Sequence, residues 1–98
     1  MNKIVAAVRN LADFNKIILF GSYAKDEATS ESDYDLCFIV NGDLDLDELY
    51  INIRKELIEC IDVPLDIKIY KKDVYEQLVK SINGLEREIQ EHGIAVFG

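Results

Sequence analysis

Two aspartates one residue apart, Asp33 and Asp35, follow a Gly21-Ser22 pair after an interval of ten residues. In an extended segment alternate side chains project to one side, so these carboxylates share a face with α-carbons about 6.5–7 Å apart. Carboxylates held that close repel each other unless a cation lies between them. Magnesium takes oxygen ligands and is commonly held by one or two carboxylates together with substrate phosphates. The Gly-Ser pair offers the complementary half of such a site. Glycine lets the backbone approach a phosphate closely, unpaired N–H groups at a helix start attract an anion, and the Ser22 hydroxyl adds a donor.

The elements that must position these groups can be read from the flanking residues. Ile17-Ile18-Leu19-Phe20 is a short, branched apolar run that reads as a buried strand ending at Gly21. Tyr23-Ala24-Lys25 is expected to begin a short helix, a polar loop spans residues 26–32, and Leu36–Val40 is expected as a second buried strand. The metal pair therefore stands at the mouth of one strand and the phosphate turn at the end of the other.

Residues 2–12 read as an amphipathic helix with Ile4, Val8 and Leu11 on one face. Asn41-Gly42 signals a turn. Asp45 with Glu48 three residues on resembles a capping box, opening a helix whose spacing through Leu46, Leu49, Tyr50, Ile53, Leu57 and Ile61 carries it to about residue 61. Strand, helix and strand in that order predict a right-handed crossover. In the third strand, residues 63–70, Leu65, Ile67 and Ile69 alternate with Asp66, Lys68 and Tyr70, which gives one buried face and one polar face bearing Asp66. Asp73 and Glu76 suggest a second capping box, and Asn83-Gly84 kinks or divides the helix that follows. Residues 85–92 continue helically, Gly93 caps, and Ile94–Phe97 form a last short strand.

The motif as a whole, Phe20-Gly-Ser-Tyr-Ala through Glu27-Ala28 to Ser32-Asp33-x-Asp35-Leu36, resembles the signature of the DNA polymerase beta-type nucleotidyltransferase superfamily. It looks like the minimal nucleotidyltransferases, small proteins usually encoded beside a HEPN-domain partner as antitoxin and toxin. One departure is visible: where the family shows Arg-Gly after the alanine, this chain has Lys25-Asp26. The resemblance implies an α/β (α+β) core with a small mixed sheet and helices packed mainly on one face. It implies magnesium held by Asp33 and Asp35, a third carboxylate at Asp66 that completes the metal site or acts as base, and Gly21, Ser22 and Lys25 on the nucleotide. It further implies transfer of AMP from ATP to a hydroxyl, a tyrosine of a HEPN-domain toxin. Two other readings are a non-catalytic antitoxin that works by covering its partner, and a homodimeric nucleotidyltransferase of small molecules.

Composition bounds these expectations. Ninety-eight residues give room for one domain over 1–98 with one modest core. A hydrophobic content of 49% excludes a disordered chain, and no apolar run approaches a membrane span. Charged residues scattered through 1–16 argue against a signal peptide. Cys37 and Cys60 lie in apolar patterns and read as small buried hydrophobes, so a reduced, cytoplasmic setting is expected. The net charge of −8 argues against direct nucleic-acid binding, because phosphate contacts need clustered Lys and Arg. With no further segment to supply an acceptor surface, that surface is expected from a partner or a second copy. His92 stands alone near a helix end and suits the helix dipole better than a metal. The Asp43-Asp45-Asp47-Glu48 run lacks the glycine and closing glutamate of a calcium loop.

Overall fold

The apolar runs of the central motif form strands, and both start earlier than their hydrophobicity suggests. In the computed structural model, which describes residues 2–29 and 32–98, the elements are α1 (Asn2–Val8), β1 (Phe14–Phe20), β2 (Tyr34–Val40), α2 (Leu46–Ile58), β3 (Leu65–Lys71), α3 (Lys72–Val79), α4 (Leu85–His92) and β4 (Ile94–Phe97). Ser30 and Glu31 of the expected polar loop lie outside the described residues. Strand β1 begins at Phe14 because that ring is buried and pairs with Val40, while a register shift accommodates the polar Asn15-Lys16 step. Helix α1 is shorter than expected. It ends at Val8, and Leu11 is carried in a turn closed by its N–H to the Val8 carbonyl.

The sheet is mixed, with order β3-β2-β1-β4. Strands β1 and β2 pair antiparallel, β2 and β3 parallel, and β1 and β4 antiparallel. The parallel pair is what a β2-α2-β3 crossover produces. Alternation then assigns the faces. Ile17 and Leu19, with their partners Phe38 and Leu36 and with Ile67 on β3, join Ile4, Val8, Leu49, Ile53 and Leu57 of α1 and α2 in the larger core. Ile18, Phe20, Cys37 and Ile39 point the other way, onto Tyr75 of α3 and Ile89 of α4. The larger core thus lies on one face as expected, but the opposite face is also covered, by the two C-terminal helices.

Three local expectations need correction. Helix α2 is capped at Asp45, whose Oδ1 accepts from the N–H groups of Asp47 and Glu48, but it stops at Ile58. Cys60 therefore falls in the turn beyond it and is exposed, while Cys37 is fully buried. Helix α3 starts at Lys72, directly from β3, with no side-chain cap. Asp73 lies inside its first turn, accepting from the Val74 N–H, so the second capping box is absent. Among the described residues no helix is long and apolar enough to cross a membrane.

Candidate active site

Strand β3 brings Asp66 directly opposite Asp35. The parallel register pairs Tyr34 with Leu65, Asp35 with Asp66 and Leu36 with Ile67. Neighbouring strands lie about 4.8 Å apart, so the two carboxylates stand side by side on the face covered by α3 and α4. Asp33 is exposed just ahead of β2 and has the same alternation parity as Asp35. Partial burial and the charges of Asp66 and Asp33 push the Asp35 carboxyl above the ordinary carboxylate range, and Lys68 acts in the opposite sense.

Gly21 completes the arrangement from the β1 side. It follows Phe20, the residue paired with Asp35, and adopts a φ of 74°. A Cβ there would run into the Asp35 carboxylate. Two separate requirements therefore select glycine, the left-handed backbone and the close approach of a charged side chain.

The turn after Gly21 differs from the expected helix start. Residues 21–26 form hydrogen-bonded turns, with the Gly21 carbonyl accepting from the N–H groups of Ala24 and Lys25, and that of Ser22 accepting from Glu27. No helix dipole is available here, so any anion affinity rests on the local amides. Among the described residues the N–H groups of Ser22 and Tyr23 donate to no backbone carbonyl. The turn closes through Asp26 at a φ of 57°, the only non-glycine residue with positive φ among those described. This is where the resembling family has glycine, and aspartate is among the side chains that tolerate the conformation.

Lys25 does not point freely toward the carboxylates. Its Nζ lies 2.7 Å from Glu88 Oε1 on α4, which raises the lysine pKa through that hydrogen bond and charge and lowers that of Glu88. The pair ties the motif turn to α4, the helix that walls this face.

Two features were not singled out from the sequence. Lys68 lies two residues past Asp66 on the same face, with Nζ 3.8 Å from Asp66 Oδ2. Its parity with Asp66 was the available signal. On the opposite face, the rings of Tyr23 and Tyr34 meet edge to face with centroids 4.8 Å apart. Tyr34, the residue between the two motif aspartates, thereby locks the start of β2 against the Gly-Ser turn, and its N–H donates to the Pro64 carbonyl at the entry to β3. Deeper on the carboxylate face, the Tyr70 hydroxyl donates to Glu86 of α4 at 2.8 Å and the Tyr75 hydroxyl to Gln90 at 3.2 Å. Burial pushes the Tyr75 phenol and the Cys37 thiol each to about 12, so both are inert at neutral pH.

The donor set suits a hard divalent cation: oxygen ligands, partial burial, and an excess of negative charge that Lys68 alone does not neutralise. Among the described residues no three His, Cys, Asp or Glu side chains form a ready-made metal cluster. A magnesium ion here would therefore need phosphate oxygens of a substrate and water to complete a sphere to which one or two carboxylates contribute.

Residues 2–97 match the model of the family described as polymerase beta, nucleotidyltransferase. Among solved structures, a chain from a crystal structure of a toxin-antitoxin with AMP-PNP superposes with a TM-score of 0.68 at 23% identity, covering 99% of this chain and 72% of that one. A chain from a mutant of the toxin-antitoxin MntA-HpeT, carrying two aspartate-to-glutamate changes two positions apart, gives 0.65 at 21% identity, with 99% and 71% covered. At such identities these likenesses bear on the fold. No curated protein sequence matches the chain.

Proposed function

The chain belongs to the polymerase beta nucleotidyltransferase family, and from that premise we propose that it is the antitoxin of a toxin-antitoxin pair, transferring AMP from ATP to a hydroxyl of its partner, a tyrosine of a HEPN-domain toxin. The observation that carries the reading is the register that sets Asp66 beside Asp35, with Gly21 packed against the Asp35 carboxylate. In this reading Asp33 and Asp35 hold magnesium together with the triphosphate. When bound, the metal offsets the charge that develops on the transferring phosphoryl oxygens. Asp66 takes the proton as the acceptor oxygen bonds to the α-phosphorus and the bond to pyrophosphate breaks. The amides of Ser22 and Tyr23, with the Ser22 hydroxyl, receive the leaving phosphates. Lys25 reaches a phosphate only by leaving Glu88, and an exposed pair of this kind is weak enough to exchange.

The partner and nucleotide are supported by likeness. One similar structure is of a toxin-antitoxin with AMP-PNP, and another carries paired aspartate changes with the spacing of Asp33 and Asp35. The test is a folded Asp33→Asn/Asp35→Asn double variant co-expressed with the product of the neighbouring gene, the proposed toxin. Loss of neutralisation, with the complex between the two proteins intact, supports the enzymatic reading. Full neutralisation by the double variant overturns it in favour of an antitoxin that acts by binding alone.

A further inference from the structure

Helix α2 carries, on the side turned away from the core, a pattern of charges complementary to its own antiparallel image. Its buried residues are Leu49, Ile53 and Leu57. At about 100° per residue, the opposite side is centred near Ile51, with Asp47, Glu48, Arg54, Lys55 and Ile58 around it. All six are exposed, Ile51 by 55% and Ile58 by 61%. The acidic pair precedes Ile51 and the basic pair follows it at nearly equal distances. None of these four charges has an ion-pair partner within the chain among the described residues. On a net charge of −8, two adjacent unpaired cations beside two exposed isoleucines are a local exception that calls for an acidic counterpart.

We propose that this face pairs with the same face of a second copy, the two α2 helices lying antiparallel about a twofold axis at Ile51. In that arrangement Ile51 packs on its symmetry mate. Lys55 faces Glu48 of the second copy and Arg54 faces Asp47 of the second copy, each contact occurring twice. A parallel arrangement would instead set like charges against like, which disfavours it. Helix α2 covers the larger core, on the sheet face opposite to Asp35 and Asp66, so the pairing adds no cover over the carboxylates of either copy. Thirteen residues of helix span about 20 Å and bury less than the roughly 1,600 Å² of a standard interface, so the dimer is weak, with dissociation in the micromolar range or above.

Sedimentation equilibrium across micromolar to near-millimolar concentrations of the full chain reads this directly. The wild type shows a reversible monomer–dimer equilibrium, and Ile51→Glu weakens it by at least about tenfold while leaving the melting curve intact. The decisive arm is a charge swap. The Arg54→Glu/Lys55→Glu and Asp47→Lys/Glu48→Lys variants, each checked for folding by circular dichroism, remain monomeric alone and associate when mixed. A wild type that stays monomeric throughout overturns the proposal, including when a different protein binds this face. So does a dimer indifferent to Ile51→Glu, and so do two folded swap variants that fail to associate with each other.

Discussion

Replacing Gly21 by alanine separates two roles that one residue fills. The first is conformational. At a φ of 74°, a Cβ brings a strain of about 1–2 kcal/mol. For a chain of this size each kcal/mol lowers the melting temperature by about 4–8 °C. The second is positional, because the same Cβ occupies the space of the Asp35 carboxylate and forces it aside. Displacing a reacting group by about 1 Å can cost about 100-fold in rate. Gly42 is the internal control. Its φ is 83°, but the nearest atom to a Cβ there is Leu44 Cδ2 at 3.8 Å, an ordinary contact. Gly42→Ala therefore carries the same backbone strain without touching the carboxylates. Thermal melts of both variants should fall by similar amounts, while the rate of AMP transfer and calorimetric binding of magnesium-ATP should collapse only for Gly21→Ala. Equal activity in the two variants would refute the packing argument for Gly21, and unchanged melting in both would refute the strain argument.

Other outcomes follow from the same geometry. Asp35→Asn should raise the melting temperature of the metal-free protein at neutral pH. The folded-state pKa of Asp35 is raised, so wild-type stability is lost as pH rises through that value, and the advantage of the variant should disappear below the ordinary carboxylate range. Asp26→Val should cost about 1–2 kcal/mol in chemical denaturation, because a β-branched side chain is poorly accommodated at a φ of 57°, whereas Asp26→Asn should be close to neutral. Iodoacetamide at pH 8 should label Cys60 and spare Cys37 in the folded protein, with mass mapping showing both labelled after denaturation.

The carboxylates and the glycine turn were legible as a pattern because packing alone does not require those residue types at that spacing, and the structure brings Asp35, Asp66 and Gly21 together. The pairing of Asp66 with Asp35 followed from alternation in β3 once that strand was placed beside β2. The element ends were less legible. Asn15 and Lys16 masked the first half of β1, because polar residues at a register shift break the apolar run while Phe14 still reaches the core. The exposed Cys60 was misplaced because Ile61 kept the helical spacing, yet it packs against the core from the turn after α2. The second helical layer was hidden because α3 and α4 bury little, chiefly Tyr75 and Ile89, so their amphipathic signal did not say which face of the sheet they would cover. The single turn at residues 21–26 could not be told from a helix start, since Tyr23-Ala24-Lys25 suits either and the closure depends on the backbone of Asp26.

Transfer of AMP to a partner hydroxyl by a site built on Asp33, Asp35 and Asp66 would change the partner's mass, which intact-protein mass spectrometry reads. The protein would be incubated with the product of the neighbouring gene, the proposed toxin, together with ATP and magnesium, alongside the folded Asp33→Asn/Asp35→Asn variant. The toxin should gain the mass of an AMP group with the wild type and gain nothing with the variant. A toxin of unchanged mass in a stable complex with the wild-type protein would contradict it.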